Sequence, residues 1–368
     1  MPKTGTGKST LVKFIIDALN IDKDKVAYAT FTGKAAEVLR KKGNENAMTL
    51  HKLLYDSYPK KSGGFYRKPK PSLPYSVIVA DECSMIPKSM VEMLLKYHAY
   101  ILFLGDPGQL PVINKDDAHD LLDHPHIFLD QVMRQAAESE IIQLTMKIRA
   151  GEELKRFQGK EVQVLNQNEL NTGMLQWADI NICATNNKRI AINNQMRELL
   201  GYNGPPQSGE KMICLRNYWD DLSYDGEMPL VNGLTGTIKN PFTTFRNIPR
   251  FMKTSVRSMD EICGDFVTED GHIFNSIEMD RSMIEQEKPC LDWRDSYIVG
   301  QAKNKIGDIV PRQFTYGYAI TAWKAQGSEW DKVVAIEENF PFNKIDHTRY
   351  LYTVCTRASK KLVLITDN

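Results

Sequence analysis

Gly5-Thr6-Gly7-Lys8-Ser9-Thr10 opens the chain, and the apolar-faced run Leu11 to Leu19 follows at once. No other feature constrains the fold as tightly. Two glycines let backbone amides close on phosphate oxygens, and the helix that follows offers the positive end of its dipole. Such a loop belongs at the carboxyl end of a strand in a parallel α/β sheet. In the full pattern G-x-x-x-x-G-K-[ST] a first glycine would stand at position 2, where the chain has Pro2. Lys8 is the residue type that reaches β and γ phosphates, and Ser9 supplies a hydroxyl for Mg²⁺. Gly5, Thr6, Gly7 and Thr10 complete the cradle.

Runs that read as strands recur at Val26 to Thr32, Ser76 to Ala80 and Tyr100 to Leu104, each ending in a polar or glycine-containing turn. Val77-Ile78-Val79-Ala80 leads directly into Asp81-Glu82. Asp81 is placed to hold Mg²⁺, and Glu82 to orient and deprotonate an attacking water. Alone, an Asp-Glu pair after an apolar run fits a solvated strand end equally well; beside a phosphate loop, the catalytic reading dominates. The next turn is Gly105-Asp106-Pro107-Gly108-Gln109-Leu110-Pro111. Asp106 there reads as a turn former. Gln109 carries an amide able to contact a γ-phosphate and report its loss.

A chain of 368 residues has room for two or three domains. Its formal charge of +1 makes any basic surface a local one. Six cysteines without a C-x-x-C pair exclude a disulfide framework or zinc site, and His124-Pro125-His126 lacks the companions of a metal centre. No apolar run approaches the roughly 18 residues of a membrane span, so no membrane partner is expected and a cytoplasmic setting is. Between about 55 and 75 the sheet pattern breaks into a basic insert with Gly-Gly at its centre, read as an inserted hairpin or loop. A second α/β pattern starts near Asp179, and from Lys211 to about Val310 short strands and turns take over. Lys239 to Met259 has no acidic residue and interleaves Phe242, Phe245, Arg246, Arg250, Phe251, Lys253 and Arg257. That stretch reads either as a nucleic-acid surface or as a loop packed on its own barrel.

Further motifs stand in order along the chain: Thr32-Gly33-Lys34-Ala35-Ala36, Thr49-Leu50-His51-Lys52-Leu53-Leu54, Arg134-Gln135, the segment from Tyr318 to Glu329, and Leu351-Tyr352-Thr353-Val354-Cys355-Thr356-Arg357-Ala358. Together with the loop and the Asp-Glu pair they resemble the superfamily 1 (1B) DNA helicases of the RecD-like branch, close to phage Dda-type enzymes. The resemblance implies an α/β fold of two RecA-like P-loop motor domains. The first would span 1–150, with an insert at about 55–75. The second would combine 151–210 and 311–368, and 211–310 would form an SH3-like β-barrel insertion. It implies ATP in the cleft, with Lys8, Ser9, Asp81, Glu82 and Gln109 on one side and Arg357 on the other. Arg134 would lie near the junction, and Gly327 and Glu329 would be further nucleotide contacts. It implies single-stranded DNA against Thr32, Gly33, Lys34, Thr49, His51, Thr321, Trp323 and Lys324. Phe65 and Tyr66 would sit on a strand-separating pin; a solvated basic loop is the other reading of that insert.

The resemblance further implies a monomeric ATP hydrolase that translocates 5′ to 3′ and unwinds a DNA fork beside replication or recombination proteins in a bacterial or phage-infected cell. Three departures stand out: the start of the phosphate loop and the adenine-reading segment upstream are absent, Thr4 replaces a usual alanine or proline, and Trp323 replaces a usual histidine. An indole accepts no hydrogen bond, so Trp323 reads as a base-stacking or packing residue. The loop's start leads to the expectation that the chain is an incomplete version of a longer protein. The alternative function is therefore a nucleic-acid-binding remnant that no longer hydrolyses ATP. RNA as the substrate stays open. A P-loop kinase is disfavoured by the ordered motifs, and a nuclease by the lack of an unassigned carboxylate cluster.

Overall fold

The computed structural model describes residues 8–59, 65–129, 139–301, 309–338 and 343–367, with 8–10, 57–59 and 65–67 described as backbone. The chain divides into two compact units. One comprises Met1–Leu54, Pro71–Ile192 and Ala319–Asn368; the other comprises Tyr55–Lys70 and Asn193–Tyr318.

Two sheets build the first unit. Four parallel strands run in the order Ala47–Thr49, Val26–Thr30, Val77–Ala80, Tyr100–Phe103. The apolar face of the helix Lys8–Ala18 supplies Val12 and Ile16, which pack with Val26, Val77 and Val79. Each such side chain contributes about 1.5–3 kcal/mol on burial. The second sheet has the order Ala319–Thr321, Ile180–Cys183, Trp330–Ile336, Ala358–Thr366, Val162–Asn166, Phe157–Gln158. It is parallel except where Phe157–Gln158 turns back on Val162–Asn166. Ile180–Cys183 is buried at every position, as expected of a strand covered on both faces. The sequence pattern near Asp179 therefore catches a central strand, while Val162–Asn166 and its hairpin partner, short and half polar, give no such signal.

Antiparallel strands build the second unit. Its main sheet runs Ile273–Asp280, Ser258–Thr268, Thr235–Asn247, Lys211–Cys214, Phe314–Tyr316. Phe266 anchors the interior, 5.1 Å edge-on to Phe314 and 6.1 Å from Phe274, ring centre to ring centre. A second cluster gathers Ile248, Met252, Met259, Leu291, Val299 and Ile309. Gly233, at φ 88°, makes the turn that launches Thr235–Asn247. The basic insert pairs Tyr55–Pro59 with Phe65–Pro69 as an antiparallel hairpin.

Candidate functional site

The carboxyl ends of the first sheet carry the predicted chemistry. Asp81 extends the ladder by donating its N–H to the Ala29 carbonyl at 2.9 Å, and its Oδ1 accepts the Glu82 N–H at 2.9 Å. Glu82 itself lies in the left-handed region, at φ 53° and ψ 45°, just before the 3₁₀ turn Cys83–Met85. A non-glycine residue held there costs about 1–3 kcal/mol, a strain typical of functional turns. The Cys83 N–H donates to the Leu104 carbonyl at 2.8 Å, which stitches this turn to the neighbouring strand end.

Ser84 and Gln109 are buried, and neither Ser84 Oγ nor Gln109 Oε1 has a partner among the described residues. Both line a cavity of about 350 Å³, together with Lys115, His119, Asp346 and Arg349. An unmade buried hydrogen bond costs about 1–3 kcal/mol, so both atoms favour a polar group that reaches this cavity.

Gln109 sits in a loop held by the second sheet's segments. Asp106 Oδ1 accepts the Gly108 N–H at 2.9 Å, forming the expected turn, while Oδ2 accepts the Tyr352 hydroxyl at 2.7 Å. The Leu110 N–H donates to Thr353 Oγ1 at 2.9 Å. Gln326 Nε2 donates to the Leu110 carbonyl at 3.0 Å, and the Trp323 indole N–H to the Pro111 carbonyl at 3.1 Å. The indole thus bridges to this loop, which local sequence does not reveal. Burial and the neighbouring Asp106 carboxylate both push the Tyr352 phenol up, so it stays a donor.

Arg357 is buried, with its donors on nearby chain. Nε donates to the Thr353 carbonyl at 3.1 Å, one terminal nitrogen to the Ser328 carbonyl at 3.2 Å, and the other to Thr356 Oγ1 at 3.0 Å. Burial raises the Glu329 carboxyl above its ordinary range, opposed by Arg357 and Lys42. Gly327 has φ 76°, and a Cβ there would fall 2.8 Å from Ala35 Cβ, so only glycine lets these segments meet.

Residues 2–170 match the AAA domain family, and 316–365 match the UvrD-like helicase C-terminal domain. The chain is 27% identical over 366 residues to the ATP-dependent RecD2 DNA helicase of Deinococcus radiodurans, covering 96% of this chain and 44% of that protein. It therefore spans less than half the length of that relative. Uncharacterized protein R530 of Acanthamoeba polyphaga mimivirus is 24% identical over 461 residues, covering 98% and 92% of the two chains. Among solved structures, Bacteroides Pif1 helicase in complex with ADP-AlF3 and ssDNA superposes with a TM-score of 0.55 at 14% identity, covering 99% of this chain and 87% of that one. Candida albicans Pif1 helicase gives 0.52 at 16%, covering 99% and 89%. The chain thus carries matches to an AAA domain and a UvrD-like helicase C-terminal domain, and its fold is similar to that of the Pif1 helicases.

The remaining predicted residues fall as follows. Lys8, Ser9 and Thr10 begin the helix Lys8–Ala18; Gly5, Thr6, Gly7 and Arg134 lie outside the described residues. Ser9 and Asp81 offer the hard oxygen donors Mg²⁺ prefers, and the fixed Asp81 carboxylate at the strand end fits that ion. Thr32 caps the helix Gly33–Lys41, its Oγ1 accepting the Ala35 N–H at 3.3 Å. Lys34 Nζ lies 5.1 Å over the Trp330 ring. Thr49 is buried, and its hydroxyl accepts the Lys52 N–H at 3.3 Å. His51 stands 5.8 Å from the Phe31 ring. Thr321 is buried at the start of the short helix Ala322–Ala325, and Lys324 is half-buried within it. Phe65 and Tyr66 lie in the hairpin strand, their side chains outside the described set.

In the second unit, Phe242, Phe245 and Phe251 are exposed. Arg246 turns to Glu261 and Glu278, and Arg257 donates to the Met252 carbonyl at 2.9 Å. Sequence reasoning missed Tyr352, Thr353 and Gln326 as partners of the Gln109 loop; their only signal was membership in the ordered motifs.

Proposed function

We propose that this chain is an ATP-driven motor that moves 5′ to 3′ on single-stranded DNA and unwinds duplex at a fork. The observation that carries the reading is a shared loop. Glu82 and Gln109 stand at the carboxyl ends of one parallel sheet, and segments of a second parallel sheet, which also bears Arg357, bond to the Gln109 loop. The ADP-AlF3 and ssDNA in the Bacteroides Pif1 structure support nucleotide and single strand as the ligands.

Lys8 binds the β and γ phosphates, and Ser9 with Asp81 holds Mg²⁺, which when bound neutralises phosphate charge. Glu82 orients the attacking water and takes its proton. Gln109 Oε1, buried and without a partner among the described residues, is available to accept from that water, and its amide N–H to donate to a γ-phosphate oxygen. Arg357 stabilises the charge that grows on the transferring group. Thr32, Lys34, His51, Thr321 and Lys324 contact the strand, the hairpin bearing Phe65 and Tyr66 parts the duplex, and the antiparallel unit acts as an SH3-like insertion.

The test is ATP hydrolysis with and without single-stranded DNA, beside Lys8→Ala. Stimulation lost in the variant supports the motor, and unwinding of substrates with 5′ or 3′ tails then reads polarity. DNA binding without hydrolysis would instead favour the non-hydrolysing remnant.

A further inference from the structure

Between Asp106 and Pro111, Gln109 is flanked on both sides by atoms tied to the second sheet's segments. Asp106 is held by Tyr352, Leu110 by Thr353 and Gln326, and Pro111 by Trp323. Gly108 is fitted as closely, since a Cβ there would lie 3.2 Å from the Tyr352 ring. Within this loop the Gln109 side chain keeps a buried acceptor with no partner among the described residues.

Thr353 plays two parts at once. Its Oγ1 accepts the Leu110 N–H, one residue from Gln109, while its carbonyl accepts Arg357 Nε. It is wholly buried in the helix Lys344–Cys355, where it makes few adjustments. A single residue therefore fixes both the loop bearing the γ-phosphate-sensing amide and the arginine of the opposite sheet.

We infer that Thr353, with Tyr352 beside it, is a positioning residue that sets Gln109 and Arg357 in register for hydrolysis. The inference rests on the proposed ATPase reading. Neither residue touches nucleotide; both act through the groups they hold. A misplacement of about 1 Å in a preorganised site is worth up to about a hundredfold in rate, so loss of one of several ties predicts a smaller but readable defect.

The experiment compares Thr353→Val, which keeps the shape and removes the acceptor, with Thr353→Ser, which restores it. The expected result for Thr353→Val is a kcat for DNA-stimulated ATP hydrolysis lower by about tenfold, with the KM for ATP and the affinity for single-stranded DNA unchanged. Thr353→Ser recovers most of the rate. Tyr352→Phe, which leaves the ring on Gly108, gives a milder loss of the same kind and serves where the valine variant does not fold.

In a Gln109→Ala background Thr353→Val adds no further loss, because the valine keeps the backbone carbonyl that holds Arg357 and the lost hydroxyl acts through Gln109 alone. Hydrogen exchange at the Leu110 amide rises in Thr353→Val whether or not hydrolysis occurs. A wild-type rate in Thr353→Val, or losses that multiply in the Gln109→Ala background, overturns the positioning role. A wild-type chain that hydrolyses nothing overturns the ATPase reading and the positioning role with it, and is told apart by the absent wild-type rate.

Discussion

In the unit of parallel sheets, Ser84 Oγ and Gln109 Oε1 are buried with no partner among the described residues. In the antiparallel unit, the buried carboxylates Glu210 and Glu261 are each met by an arginine, Arg197 at 2.6 Å and Arg246 at 3.2 Å. Backbone strain divides less cleanly, but Glu82 puts a left-handed non-glycine residue directly at the predicted reacting centre. The contrast is one of charge, since the antiparallel unit also buries a hydroxyl, that of Tyr316, with no partner among the described residues. A parallel sheet gathers loops at one end and can hold acceptors open there for a ligand. An antiparallel sheet spreads its charges along its faces, where each needs a local partner to stay buried.

Four substitutions break or sharpen that contrast. Glu82→Gln removes the proposed base and keeps the side chain's shape; DNA-stimulated hydrolysis should fall by about 10²–10⁴, with the melting temperature near that of the parent. A parent-like rate would remove Glu82 from the chemistry.

Gly327→Ala should destabilise the parallel unit by about 2–4 kcal/mol, because the new Cβ meets Ala35 in an already left-handed backbone. Urea unfolding reads this directly, and an unchanged midpoint would mean that the two segments part easily.

Arg246→Met leaves the Glu261 carboxylate, which burial already pushes above its ordinary range, without its arginine. The arginine is partly exposed, so the expected loss is about 2 kcal/mol rather than the larger figure for a fully buried pair. Hydrolysis should be unaffected; a parallel loss of activity would tie the two units' functions together.

The smallest effect belongs to Asp225. Hydrogen bonds from Ser223, the Glu227 N–H and His272 hold its carboxyl down to about 2, against an ordinary 3.8. A lowered folded value stabilises the protein above the unfolded pKa, and that contribution is lost as pH falls through about 2. Asp225→Asn should lower neutral-pH melting slightly and flatten the loss of stability between 3.8 and about 2, leaving the two proteins alike below that window.

Much of the parallel unit was legible because its signals are local. Val77-Ile78-Val79-Ala80 before Asp81-Glu82 is a strand, a turn and a site in six consecutive letters. The edge hairpin Phe157–Gln158 with Val162–Asn166 was not, since alternating polar residues on a short edge look like a loop. Asp106 shows the limit most clearly. Its turn bond to Gly108 is two residues away and readable, whereas its bond to Tyr352 spans 246 residues. The same holds for Trp323, whose partner Pro111 is fixed by sheet packing and not by any periodicity. In the β-rich unit the aromatic-basic stretch left a nucleic-acid surface and a loop packed on its own barrel both open, and only cross-strand register shows Arg246 opposite Met259 and within reach of Glu261.

Each nitrogen of the Arg357 guanidinium already has a partner. The guanidinium gives bonds to two carbonyls and a hydroxyl, all neutral acceptors. Any rival for those donors has to offer more than a neutral oxygen can, and charge-assisted bonds are roughly twice as strong. A phosphate gathering negative charge meets that requirement; water does not. Under the proposed reading, the arginine would leave these neutral acceptors only for a charged one.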